Sequence, residues 1–512
     1  MSGAPAHVIG LDIGTTSTIA VLIRLPATIA SVASRPATLS SPQAGWAEAD
    51  PAEWWRNACA VLDEILAAAP EATSSLAGIC VTGMLPAVVL LDESGTVLRP
   101  SIQQSDGRCG REVAEIAAEM DETAFLAKTG NGVNQQLVAA KLRWIERHEP
   151  QVFRRIATVF GSYDYVNWRL TGVRAVEHNW ALEAGFIDLA ENAISRELVG
   201  LAHLRRDAVP DKSLPHAQIG QVSQEASSAT GLPEGLPVFG GAADHIASAL
   251  AAGLVAPGDV LLKFGGAGDI IVVSEKARPD KRLFLDYHLI PGLYAPNGCM
   301  AASGSALNWL AGVLVPEHSG ERPHGALDRL AADVPAGSEG LLCLPYFLGE
   351  KTPIHDPAAR GTFTGLSFNH GQAHLWRSLL EGVAYAFRHH LDVLGDIGHA
   401  SANLFASDGG SRSGIWMQIM ADVAQKPVHT LANDHGSSVG AAWVAAIGSG
   451  QDVAWEDVRG LVGTGTTYQP NANNAATYDR GYGEFRALYD ALKPFFAKQA
   501  NSMSFVERTS CG

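Results

Sequence analysis

Five stretches of this chain hold residue types that can do chemistry. In HVIGLDIGTTSTIAVLIRL an apolar strand ends on Asp12 and turns through Gly14, Thr15 and Thr16. A carboxylate there is costly to bury unless a cation or a donor meets it, and a small hydroxyl-bearing turn lets a ligand approach the backbone. GDVLLKFGGAGDIIVVS (residues 258–274) repeats the arrangement, with Gly265 to Gly268 as its turn. In PVFGGAADHIASALAAG the pair Asp244–His245 follows two glycines and opens a helical run. ASDGGSRSG brings Gly409, Gly410 and Ser411 to the start of another helix, and the stretch from Met84 and Leu85 onward delivers Gln103, Gln104, Asp106 and Arg108 together. Each also has a plainer reading. The two Gly-rich turns can be ordinary hairpins, Asp244 a helix N-cap, the Gly409–Ser411 stretch a plain strand-to-helix turn, and the polar cluster a solvated loop.

The elements around these residues are legible in outline. Ile19, Val21, Ile23 and Leu25 alternate with Thr18, Ala20, Leu22 and Arg24, so a second strand follows Asp12 rather than a helix. That excludes a Walker loop and a dinucleotide-binding turn, both of which open a helix. DPAEWWRNACAVLDEILAAAP reads as a helix with Asp50 as N-cap, Pro51 at its first position, Glu53 completing a capping box and Trp55, Ala58, Leu62 and Ile65 as the apolar stripe. Leu375, Leu379, Val383, Phe387 and Leu391 mark a second buried helix face. Strands alternating with helices give an α/β chain with a boundary near residues 245–256.

With 512 residues the chain exceeds one hydrophobic core. A net charge of −16 argues against nucleic acid or an anionic membrane as partner. No run reaches the ~18 uninterrupted apolar residues of a membrane span. The start MSGAPAHVIG is not a signal-peptide core, and the six scattered cysteines read as free thiols, so a cytoplasmic location is expected.

Taken together, these stretches resemble the FGGY family of carbohydrate kinases over about residues 7–490. GTFTGLSFNHGQAHLWRSLLE (Gly361 to Glu381) is similar to that family's second signature, and KLRWIERHEP (Lys141 to Pro150) to the core of its first, with departures upstream at Gln136 and Val138. GWAEADPAEWW, SYDYVNWRLTG, LPYFLGEKTPIHDPAARG and GSSVGAAWVAAIG are also similar to family segments. The resemblance implies an α/β, two-domain actin/hexokinase/Hsp70-like (ribonuclease H-like) ATPase fold with an interdomain cleft. Its domains would run 1–245 and 246–490, with 491–512 as a tail whose end is expected to be disordered.

The resemblance also assigns roles. Asp12 falls where a carboxylate faces the Mg2+ of ATP. Gly14, Thr15, Thr16, Gly265 and Gly266 fall on phosphate turns, and Gly304, Asn308, Gly409, Gly410 and Ser411 on the adenosine side. Asp244 falls on the catalytic base, with Met84, Leu85, Gln104, Asp106, Asp244 and His245 around the sugar. Length and SDGRC are most similar to the xylulose-phosphorylating members, so D-xylulose is the expected sugar, ahead of ribulose, an alditol or a deoxy-ketose. Four departures bear on that choice: Leu85-Pro86 replaces His-Gly, Gln104 replaces Trp, His245 replaces Asn, and Gly266-Ala267 replaces Thr-Ser. A sugar-responsive regulator that has lost turnover is the alternative from another class. A homodimer is left open.

Overall fold

The computed structural model describes residues 6–315, 323–433 and 436–510. It divides into two units, and neither is a continuous half of the chain. Unit 1 is built from residues 1–255, 275–295 and 435–462, and unit 2 from 256–274, 296–434 and 463–512. The chain thus first leaves unit 1 at Val255, then returns twice.

In unit 1 the expected hairpin is β1 (His7–Ile13) and β2 (Ser17–Arg24), antiparallel, with β3 (Thr28–Pro36) beyond it. On the other side β1 pairs in parallel with β4 (Leu76–Gly83). Beyond β4 lie β5 (Gln218–Gln221) and β6 (Pro237–Ala243), in the sheet order β5-β6-β4-β1-β2-β3. β1, β4 and β6 are parallel and almost wholly buried, as strands covered on both faces must be.

One face is covered by the helix Pro51–Ala68, whose Trp55, Ala58, Leu62 and Ile65 are buried as the spacing predicts. Asp50 caps it through the Ala52 N–H. Glu53 closes no capping box: its carboxylate reaches out to Thr38 N and Oγ1, both at 3.0 Å. The other face is covered by the small-residue helix Ser437–Gly448, drawn from late in the chain. It lies directly on β1, since a Cβ built on Gly10 would stand 1.8 Å from Ser438 O.

Unit 2 repeats the parallel-strand logic with a second hairpin, β7 (Asp259–Phe264) and β8 (Gly268–Val272). β8 pairs with β9 (Tyr294–Met300), and β7 in parallel with β10 (Asn403–Ser407). β11 (Val428–Leu431) and β12 (Thr464–Tyr468) extend the sheet. The long helix Gln372–Asp396 supplies the core, with Leu379, Val383, Phe387 and Leu391 buried. The last helix runs Ala475–Ser510, so residues 491–510 continue it rather than forming a separate tail. Cys511 lies outside the described residues, and the other five cysteines are free thiols. No described helix is long and apolar enough to cross a membrane.

Candidate functional site

Register brings the sequence-predicted carboxylates of unit 1 to one edge. Asp12 pairs with Thr82, Ile13 with Gly83, and Gly83 in turn with Ala243. The carboxyl ends of β1, β4 and β6 therefore deliver Asp12 and the Gly14–Thr16 turn, Met84–Leu85, and Asp244 side by side. Ligands of open α/β sheets bind at such strand ends. β6 breaks register between Phe239 and Ala242, where Gly241 adopts φ +115°, and this irregularity re-aims the chain just before Asp244.

Asp244 is the first residue of the helix Asp244–Ala251, and Ala243 occupies the cap position without a side-chain bond. The N-cap reading thus fails for Asp244. Its Oδ1 accepts from its neighbour's N–H, His245 N at 2.6 Å, and lies 3.4 Å from His245 Nδ1. Oδ2 has no hydrogen bond among the described residues, and the side chain is 36% exposed. A half-exposed carboxylate with one uncommitted oxygen is free to take a proton.

The Met84–Ala87 turn is held through its carbonyls. Ser162 Oγ donates to Met84 O at 2.8 Å, Lys141 Nζ to Pro86 O at 3.3 Å, and Trp180 Nε1 to Ala87 O at 2.9 Å. Lys141 is fully buried, and burial brings its pKa down to about 8. The same ammonium donates to Gln103 O at 2.8 Å, so one lysine ties both polar stretches together. Met84 and Leu85 are buried here, and Gln104 Oε1 is buried without a partner among the described residues.

Asp106 is a correction. Its Oδ2 accepts from Ala47 N and Arg108 Nη2, its Oδ1 from Arg108 N and Nε, and its side chain is wholly buried. Arg108 lies 3.7 Å over the Trp46 ring and bridges on to Glu48 at 2.8 Å. With four donors on two oxygens, Asp106 is structural and offers no lone pair to a sugar.

In unit 2 the same construction makes a cavity of about 440 Å³, within the ordinary range for a small-molecule site. Gly265, Gly266, Gly304, Asn308, Gly409 and Gly410 line it, together with Leu307, Trp376 and Trp416. The Gly265–Gly266 turn is braced on the helix Gly304–Leu314, where Gly304 N donates to Gly265 O and Ser303 N to Gly266 O, each at 2.8 Å. Asp328 fixes the far wall by accepting from Trp376 Nε1 and Ser413 Oγ, both at 2.7 Å. Ser411 is the second correction. Its hydroxyl donates back to Asp408 O at 2.7 Å, and Arg412 and Ser413 line the cavity instead.

These residues fit a nucleotide and a hard cation. Aromatic walls and open glycine backbone suit a purine nucleotide, and nothing stands within 4 Å of a Cβ built on Gly266 or Gly409. Beside Asp12, Thr82 Oγ1 is buried with no hydrogen-bond partner among the described residues. That all-oxygen donor set suits a divalent cation of the magnesium type rather than a soft metal.

Comparison with known proteins agrees with the architecture. The model of the FGGY family of carbohydrate kinases, N-terminal domain, matches residues 7–251, and that of its C-terminal domain residues 266–449. A protein of Escherichia coli strain K12 named xylulose kinase is 30% identical over 96% of this chain and 100% of its own length. The crystal structure of xylulose kinase from Rhodospirillum rubrum is 67% identical, with a TM-score of 0.92 over 96% of this chain and all of that one. Plasmodium falciparum glycerol kinase with ADP shares the fold, at a TM-score of 0.85 and 18% identity, over 94% of this chain and 98% of its own.

Proposed function

This chain belongs to the FGGY family of carbohydrate kinases, and from that premise we propose that it transfers the γ-phosphoryl group of ATP to D-xylulose, forming D-xylulose 5-phosphate. One observation carries the chemistry: Asp12 and Asp244 stand at strand ends flanking the one that delivers Met84 and Leu85. The likeness to the Rhodospirillum rubrum enzyme at 67% identity supports the sugar.

Asp244 Oδ2 takes the proton of the attacking hydroxyl as that oxygen bonds to phosphorus and the bond to the ADP oxygen breaks. Thr15, Thr16 and the Gly265–Gly266 turn bind the phosphates. Leu307, Asn308, Trp376 and Trp416 hold the adenosine. Asp12 holds Mg2+, which when bound neutralises phosphate charge.

A second sugar has its own support. Leu85 and Gln104 stand where D-xylulose-specific members carry a histidine and a tryptophan, which removes a hydrogen-bonding group and a stacking face. Sugar-dependent ADP release across a panel of ketoses and polyols decides between them. The highest kcat/KM is expected with D-xylulose. A higher value with ribulose, an alditol or a deoxy-ketose reassigns the substrate, and no turnover with any sugar removes the enzyme reading.

A further inference from the structure

His245 sits where two carboxylates meet its ring from opposite sides. Its Nε2 lies 2.8 Å from Asp286 Oδ2, its Nδ1 3.4 Å from Asp244 Oδ1. Asp286 is fully buried, and Glu183 at the end of the helix His178–Glu183 stands behind it. One ligating atom each from Glu183, His245 and Asp286 lies within 4.8 Å of the others. A neutral imidazole has a single N–H and can serve only one of the two carboxylates, whereas the doubly protonated ring serves both.

We propose that His245 is a positioning residue, clamped by Asp286, which fixes Asp244 Oδ1 so that Oδ2 is the oxygen presented to the substrate hydroxyl. The inference rests on the reading of Asp244 as base. Electrostatics agree with the geometry. Burial disfavours the imidazolium, but Asp286 and then Asp244 outweigh it and hold the His245 pKa well above its usual value. Burial and the neighbouring Asp286 push the Glu183 carboxyl up to about 8. A ring that donates from both nitrogens offers no lone pair to a metal.

The sign of the pH effect follows. Because its folded pKa is raised, His245 keeps its proton through neutrality and loses it at alkaline pH; with the remaining ring N–H on Asp286, Asp244 Oδ1 then keeps the backbone N–H of His245 but loses the ring's hold. The test uses the full chain with D-xylulose, or with the sugar the panel selects. The parent should show an alkaline fall in kcat. His245→Gln should lower kcat at neutral pH by roughly tenfold to a hundredfold, with KM for ATP unchanged, and should lose that alkaline limb. Asp286→Asn, which removes the counter-charge, should move the limb toward lower pH. In the parent labelled with 13C-histidine, the resonance missing from His245→Gln should titrate well above 6.5, a readout that needs no turnover. Titration of that resonance near 6.5, or an unchanged alkaline limb in His245→Gln, overturns the inference. Retained turnover in Asp244→Asn would instead overturn the base assignment, whatever His245 does.

Discussion

Asp106 and Asp244 are both aspartates in unit 1, and their surroundings give them opposite uses. Asp106 has every lone pair engaged and a guanidinium locked against it, an arrangement that resists loss of either partner. Asp106→Asn breaks a buried pair and should cost about 3–5 kcal/mol of stability, read as a fall in the urea midpoint. Asp244 spends one oxygen on its own neighbour and leaves the other open. Asp244→Asn should therefore melt near the parent temperature and still bind ATP, yet lose about 10²–10⁴ in kcat. Near-parental turnover would leave Asp244 without a chemical role. Asp12→Ala tests the cation. Folding should persist while the Mg2+ concentration needed for half-maximal rate rises, and an unchanged Mg2+ dependence would remove Asp12 from the metal site.

At the scale of elements, the Gly265–Gly266 turn of unit 2, proposed to hold phosphate, is only as well placed as the helix Gly304–Leu314 that braces it. A Cβ on Gly304 would stand 2.7 Å from Gly265 O, a backbone atom that cannot swing aside. Gly304→Ala should push the turn outward and raise KM for ATP about tenfold, ~1.4 kcal/mol, with sugar binding unaffected. An unchanged KM would mean that the turn does not hold the nucleotide. Both hairpins were legible in the sequence because each is local: an apolar strand, a small-residue turn, then a second strand. Asp12, Asp244 and the Gly409–Gly410 loop were found because each ends or follows such a pattern. Glu183 and Asp286 were not, since they lie far apart in sequence, in segments with no periodic signal, and only tertiary pairing brings them to His245. Trp376 and Trp416 have the spacing of core residues. They are buried as well as lining the cavity, so burial periodicity cannot separate the two roles. Glu53 fits the capping-box spacing, but Thr38 offers its carboxylate two donors from outside the helix.

For the molecule as a whole, the path of the chain matters more than its length. The sheet of unit 1 is complete by residue 243, yet one of its faces is covered by the helix Ser437–Gly448, nearly two hundred residues later. That helix buries Val439, Ala441, Ala442, Trp443 and Val444. It meets β1 at Gly10 and the helix Asp244–Ala251 at Gly440, where an added Cβ would stand 2.0 Å from Ala247 O. Segment 275–295 is equally integral, because the side-chain amides of Asn131 and Asn179 each donate to and accept from its backbone, at Leu285 and Tyr287. A fragment ending at Val255 would therefore expose the buried face of β1 and β4 and leave both asparagine side chains without their partners. Burying a polar amide without a hydrogen bond costs about 1–3 kcal/mol, and uncovering an apolar sheet face costs more. Fragment 1–255 should consequently fail to fold cooperatively, with the far-UV signal of a partly ordered chain, no near-UV signal and strong binding of a hydrophobic dye. Adding back residues 275–295 and 435–462 by short linkers should restore a single cooperative unfolding transition. A cooperative, dye-silent fragment 1–255 would show that the returning segments are accessories to a unit that stands without them.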